Sequence, residues 1–497
     1  MKKATTIKLA ATAAACLLAT SAQAIVTDKI ELKGNMQLTY KTLPKPVDTL
    51  REAFTEGMFY GRLRANFFLW DWEDENPTRS GTAPYPATST SRSDNKANGI
   101  GGSLVYKTAP FKGVSGTLGL YTSQNAAFWR ESNLDVAWVK AGKDTFSRNN
   151  IKNGGSYDGN YGMTVLGQAN LQYDVSKTSI VAGRQIFESV FTKSNDTKMI
   201  PNTFDGVSAT IKDIPDTKVQ LAYFTAQKLR DHETAHDVIA FNSWNENDDS
   251  AINKALTTSL IGSNNELMIV EANNHSVKNL NLKTAYALVP DVLGNLVLEG
   301  HYKIPVGGWS VTPGVRYMKQ MDELGATGVD VAHRGINGIN TTGYTNPDSL
   351  DGALWCARVD VKNGPLLARL GWSKVDDKAD IVAPWRGFPT GGFTRAMAQY
   401  NWDANTETTM LQVDYDFGKA GLVNDFKVSA RYAMQDFDDN KPGVQADSDI
   451  LHIDMIKKLA EGLEGKIRIG MVDADPGNSG KSDVGYNEYR VELNYFF

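Results

Sequence analysis

Residues 489–497 of this 497-residue chain alternate in character at every step. In an extended strand Tyr489, Val491, Leu493, Tyr495 and Phe497 share one side, and Arg490, Glu492, Asn494 and Phe496 take the other. Strand side chains point to opposite faces with period two, so the segment presents one apolar face and one largely polar face. A closed barrel in a bilayer requires that pattern in segments of about ten residues, with hydrocarbon outside and water inside.

The amino terminus points the same way. Lys2 and Lys3 precede an apolar run over residues 9–18, and Ala22, Gln23 and Ala24 suit signal-peptidase cleavage after Ala24. The reading is residues 1–24 as signal peptide, 25–56 as an N-terminal periplasmic segment and 57–497 as the barrel domain. No later stretch approaches the roughly 18 apolar residues of a membrane-spanning helix, so the mature chain is either secreted and soluble or a barrel. The strand pattern selects the barrel. Cys16 lies in the signal and reads as filler, which leaves Cys356 alone, without an internal disulfide. A mean hydropathy of −0.35 is too polar for a helical membrane protein. Polar residues can fill a lumen. Removing Lys2, Lys3 and Lys8 takes the formal charge from −5 to −8, which argues against nucleic acid as a partner, since phosphate binding needs a basic surface.

Turn residues divide the rest into hairpins. Residues 107–113, 173–178, 214–218, 273–279, 304–308, 362–365, 418–424 and 458–465 carry the Pro, Gly, Asn and Asp of tight turns and read as periplasmic. Residues 71–98, 123–161, 227–265, 320–351 and 375–408 are long and polar and read as extracellular loops. Between them lie about eighteen strand-like segments, the first beginning near Gly57 and the last near Asn487. The fold class is all-β: a transmembrane antiparallel β-barrel with long loops partly folded into the pore. Residues 30–40 also alternate, but counting them would make the strand number odd, so they are placed outside the wall.

The chemistry lies in the arginines. Phe59, Leu63, Phe67 and Leu69 share one face of the first strand, which puts Arg62 and Arg64 on the other. The same parity turns Arg316, Arg358, Arg369, Arg431, Arg468 and Arg490 inward as a pore-lining basic track. An arginine at the midplane of the lipid face costs about 2–4 kcal/mol, which makes the reverse assignment untenable. For Arg184 parity is undecided, because Ile180 and Ala182 compete with Val181 and Gly183 for the outer face. Inward guanidiniums attract carboxylates through charge and paired hydrogen bonds. The plainer reading is that they neutralise Glu299, Asp360, Asp414 and Glu492, which also face inward, and brace the wall.

Gly183-Arg184-Gln185, followed by the run from Asn195 and Asp196 through Lys198, Met199, Ile200, Pro201, Asn202, Thr203 and Phe204 to Asp205 and Gly206, resembles the signature of the OprD-type substrate-specific porins. Arg64 with Asn66 and Phe67 adds to the likeness, as do Arg395, Gln399, Tyr400, Asn405 and Thr406, which resemble the family's seventh loop. It covers the chain from about Gly57 to Phe497 and is poor between Gln227 and Asp351; Lys198 stands where arginine is expected. The resemblance implies an eighteen-stranded barrel narrowed by inward loops, with a ladder of basic residues conducting small carboxylate-bearing solutes, either amino acids or organic acids. By position the inward loop covers residues 187–203, helped by residues 375–407. Arg184, Asp196, Lys198 and Arg395 are the constriction candidates, whether by touching solute or by pairing with one another.

His232-Glu233-Thr234-Ala235-His236 has the HExxH spacing in which two histidines four apart share a helical face and bind zinc. It falls in a presumed external loop, so His232 and His236 are kept only as weak metal candidates and the chain is not read as an enzyme. The acidic clusters 436–439, 246–249 and 473–483 lack EF-hand spacing and read as solvated loop. No cofactor fingerprint is present. The expected partners are small carboxylate-bearing solutes, outer-membrane lipid and lipopolysaccharide, with a homo-oligomer left open, and the expected place is the Gram-negative outer membrane. The competing reading is a surface barrel whose loops mediate adhesion.

Overall fold

The computed structural model describes residues 30–32, 38–40, 43–73, 94–126, 128–130, 145, 147, 162–194, 198–240, 256–332, 344–397, 400–438, 446–475 and 485–497. Residues 1–24, the expected signal peptide, lie outside the described residues, as does Asp196. The chain opens with β1 (Ile30–Leu32), β2 (Leu38–Tyr40) and a short helix α1 (Leu50–Thr55). The first half of the wall is β3 (Met58–Trp72), β4 (Asn95–Lys107), β5 (Val114–Gln124), β6 (Met163–Val175), β7 (Thr178–Gln185), β8 (Thr203–Ile211) and β9 (Thr217–Lys228). After α2 (Thr258–Ile261) come β10 (Leu267–Asn274), β11 (Leu280–Val289), β12 (Leu293–Tyr302), β13 (Ile304–Val306), β14 (Trp309–Asp322), β15 (Gly352–Asn363) and β16 (Leu366–Val375). The last are β17 (Glu407–Asp416), β18 (Phe426–Asp436), β19 (Ser448–Ala460), β20 (Leu463–Ala474) and β21 (Tyr486–Phe496).

From β3 onward the strands pair antiparallel in chain order, β12 pairing with β14, and β21 returns to β3 with Val491 opposite Phe67, closing the sheet. β13 only prolongs the β12 edge along β14, so the wall is an eighteen-stranded barrel. Closure leaves no edge whose backbone groups would meet hydrocarbon unpaired. β1 and β2 pair with each other and with no wall strand.

The alternation in sequence explains the wall's two faces. Leu63, Leu118, Val270, Leu298, Val315, Leu370, Leu411, Val491 and Leu493 project outward and are exposed over the outer band. Aromatic pairs edge that band: Tyr317 and Trp355 lie 4.3 Å apart by ring centroids, and Phe417 packs between Tyr415 and Phe426 at 4.8 and 5.1 Å. Such rings sit at membrane–water interfaces because one end is apolar and the other wet. Short turns gather at one end of the barrel, the periplasmic one, and the long connections at the other.

The interior is asymmetric. Inward residues of β8 to β16, among them Phe204, Phe224, Leu267, Ile269, Val297, Met318 and Leu354, form one apolar core with Phe187, Phe191, Val238, Trp385, Phe393 and Trp402 from the loops. Described residues of four connections fold into the lumen to make it: 186–194 with 198–202, 229–240 with 256–266, 323–332 with 344–351, and 376–397 with 400–406. They are joined by main-chain bonds, with Lys193 N–H donating to Trp385 O and Gly387 N–H to Phe191 O, and by Trp385 Nε1 donating to Val238 O at 2.8 Å. A Cβ on Gly387 would collide with the Phe191 carbonyl, so only glycine permits this approach. A second, smaller apolar cluster, with Phe68, Trp70, Met397, Met410, Ile450, Val472 and Tyr486, lies on the inner faces of β17 to β21 and β3, beside the inward charged residues of those strands.

Candidate functional site

Register places Arg62, Arg64, Arg316, Arg358, Arg369, Arg431, Arg468 and Arg490 on the inner side. Each lies between outward apolar neighbours, as Arg369 does next to Leu370 and Arg490 between Tyr489 and Val491. Arg62, Arg64, Arg316 and Arg490 are buried. Three of the eight bond the carboxylate directly across the ladder. Arg316 meets Glu299 at 2.6 Å, Arg369 grips both oxygens of Asp360 at 2.6 and 2.8 Å, and Arg468 grips Asp454 at 2.8 and 3.2 Å. Cross-strand partners stand side by side, so register alone sets these pairs. Glu492 is shared by Arg64 at 3.1 Å and Arg490 at 3.3 Å, and Arg490 also reaches Glu488 at 2.8 Å. The acids Glu299, Asp360 and Glu492 are thus neutralised by the inward arginines. Asp414 instead accepts from Gln412.

Three wall arginines also hold the loop of residues 376–406. Arg316 Nη1 donates to Pro389 O at 2.6 Å and Gly391 O at 3.2 Å, while Arg358 and Arg369 both donate to Gly392 O, at 2.5 and 3.0 Å. Arg316 and Arg358 lie over the Phe393 ring at 4.8 and 5.2 Å. The loop's far side is fixed by Met397 N–H donating to His452 Nδ1 at 3.2 Å, with His452 Nε2 3.1 Å from Asp454.

Held in that way, the loop sets Arg395 inside the barrel, within electrostatic range of the inner-face Arg431 and Arg468. Its guanidinium lies 3.5 Å over the Phe388 ring, and among the described residues it has neither a hydrogen bond nor an ion pair. Arg230, Arg468 and Arg431 are near enough to repel it. Burial inside the lumen, with those neighbouring cations, lowers its pKa. Arg431 on the wall is lightly engaged, Nε donating to Gln412 at 3.3 Å. Arg431 and Arg468 thus bring two further guanidiniums close to Arg395 on the inner face.

The other constriction candidates divide. Lys198 lies in the inward loop with its ammonium 4.7 Å over the inward Phe68 ring, and its carbonyl accepts from Asn66. Arg184 requires a correction. It shares a face with Ile180 and Ala182, and Ala182 is paired with the outward Val207, so Arg184 stands on the outer side of the wall. There it grips Asp205 at 2.7 and 2.6 Å and reaches Leu166 O at 3.2 Å, covering the edge of β6 where β7 turns inward. The rings of His232 and His236 are 4.7 Å apart in the connection of residues 229–266, and no group of three or more metal-ligating side chains occurs among the described residues. Sequence reasoning passed over Lys466, 3.6 Å from Asp454, and Arg386, 3.7 Å from Asp231. The parity test would have found the first. The second is a loop residue, for which parity carries no information.

A family model described as outer membrane porin, OprD family, matches residues 116–455. The chain belongs to the OprD family. It is therefore a porin of the Gram-negative outer membrane, in a family of passive porins that carry small organic solutes. Solved structures of this architecture are similar at low identity. OccK8 (OprE) of Pseudomonas aeruginosa aligns with a TM-score of 0.64 at 15% identity over 89% of this chain and 98% of that one. P. aeruginosa OpdK, solved with vanillate, gives 0.63 at 14% over 88% and 98%, and OccAB1 of Acinetobacter baumannii 0.64 at 13% over 88% and 96%. No curated protein matches the chain.

Proposed function

We propose that this porin is a selective diffusion channel for small solutes bearing a carboxylate, which pass along the arginine-lined wall between β16 and β3 and around Arg395. The observation that carries the reading is Arg395 itself, a guanidinium projecting from a braced loop among Arg431 and Arg468 with no acid among the described residues paired to it. A carboxylate there would gain two charge-assisted hydrogen bonds and relieve the repulsion among three cations. The neighbouring arginines already bound to Asp360, Asp454 and Glu492 offer fewer free donors, so a solute handed along the row is held weakly at each step. A channel needs binding strong enough for entry and weak enough for exit. The Phe388 ring beneath Arg395 gives the solute's apolar part a surface to lie on. Vanillate, seen with the similar OpdK, is a carboxylate of this size class. No cofactor or energy source enters this mechanism.

The test is reconstitution in planar bilayers, with single-channel current recorded as small carboxylates are added. The reading expects graded block by carboxylates, little by the matching primary amides, and weaker block for Arg395→Gln. Equal block by acid and amide in both proteins would overturn it.

A further inference from the structure

We propose that one ladder row of the inner wall, Gly371, Met410, Ala433, Ile450 and Val472, is a shelf that sets Arg395 in place, with Gly371 and His452 as its positioning residues. This rests on the reading that Arg395 meets the solute, and adds what holds it there. The five shelf residues are successive cross-strand partners from β16 to β20, and none is charged. Ala396 and Met397 of the loop are buried in one cluster with Met410, Ala433, Ile450 and Val472. The next inner row, two residues nearer the periplasm, is Arg369, Gln412, Arg431, His452 and Gly470, again partner to partner. A segment lying on the apolar row is thereby brought alongside the guanidiniums of the row beneath it.

The segment is seated at both ends. At β16 the Phe393 main chain lies against Gly371, where a Cβ would collide with the Phe393 carbonyl, and the hydroxyls of Ser373 and Thr394 bond at 2.7 Å. Gly371 has no positive φ, so space and not backbone conformation calls for glycine there. At the far end Met397 N–H donates to His452 Nδ1 at 3.2 Å, and the Met397 side chain fills the space over Gly470. His452 accepts at Nδ1, which puts its proton on Nε2, facing Asp454 at 3.1 Å. The two seats differ in stiffness. A methyl group at Gly371 must move main chain, whereas one at Gly470 meets the end of a flexible side chain that can turn aside. Arg395 lies two residues from Phe393 and two from Met397, so a shift at either seat moves its guanidinium relative to Arg431.

The test reads the position of residue 395 without a solute. In a Cys356→Ser background, the rate at which Arg395→Cys reacts with a methanethiosulfonate reagent is compared across wall variants, each checked for heat-modifiable mobility. Removing the acceptor in His452→Leu is expected to change the rate by roughly two- to tenfold, the range of one lost net hydrogen bond, and Gly371→Ala by at least as much. His452→Asn, whose Oδ1 stands where Nδ1 stood, is expected to recover most of the parent rate. Carboxylate block is expected to weaken in Gly371→Ala, and to weaken no further when Gly371→Ala is added to Arg395→Gln. The parent rate in both folded variants, Gly371→Ala and His452→Leu, would overturn the proposal. So would a His452→Asn protein that labels like His452→Leu, or a block that Gly371→Ala weakens equally with and without Arg395. Should Gly371→Ala not fold, the two His452 variants decide alone. If labelling moves while carboxylates block neither parent nor variant, the shelf stands and the carboxylate reading falls.

Discussion

Arg395 and Glu492 show the two uses of charge inside this barrel. Arg395 has cations for neighbours and, among the described residues, no acid paired to it, so its removal should alter what passes and leave the fold intact. Arg395→Gln is expected to weaken carboxylate block about tenfold, the loss of one charge-assisted hydrogen bond of about 1.5 kcal/mol, with unchanged heat-modifiable mobility on gels. Glu492 is buried and serves both Arg64 and Arg490. Neutralising it leaves two buried guanidiniums less compensated, so Glu492→Gln is expected to lower unfolding free energy by about 3 kcal/mol, measured by urea titration in lipid vesicles. For the strand arginines other than Arg184, the side of the wall was legible from the apolar neighbours. For Arg184 the sequence left two frames open, and the outward frame holds because Ala182, on the same face, pairs with the exposed Val207 of β8.

Among elements, the loop of residues 376–406 is the part least legible in sequence. Its length and polarity mark it as a loop, and the resemblance places it near the pore. Its docking depends on backbone carbonyls of Pro389, Gly391 and Gly392 meeting three arginines from β14, β15 and β16. Carbonyl acceptors are the same for every residue type, so no pattern of side chains announces them. The strand boundaries were legible because turns carry Gly, Pro and Asn and the outer faces carry exposed apolar rows. Two substitutions probe the docking. Gly387→Ala drives a methyl group into the Phe191 carbonyl and is expected to separate the two inward loops, which noisier single-channel traces with larger conductance would report. Arg358→Gln combined with Arg369→Gln frees Gly392 O of both guanidiniums and should produce the same increase in open-channel noise.

At the scale of the whole molecule, one alternation separates lipid from water around the full circumference. Leu370, exposed on the outer face between Val359 and Leu411, tests the lipid side. Leu370→Arg is expected to destabilise the barrel by about 2–4 kcal/mol in vesicle unfolding, although its neighbour Arg369 is native and inward. The water side holds a division that the sequence did not disclose. Loops and strands β8 to β16 build an apolar core within the lumen, because Phe187, Phe191 and Trp385 come together only once the barrel closes. The inward arginines of β14 to β16 border that core, and those of β18, β20, β21 and β3 continue the row along which carboxylates are proposed to travel. Single-channel recording in planar bilayers under a gradient of a small carboxylate salt tests that claim most directly. The account predicts a reversal potential displaced toward that of the carboxylate, with the displacement reduced in Arg395→Gln; an open pore whose reversal potential shows no carboxylate permeation in either protein would contradict it.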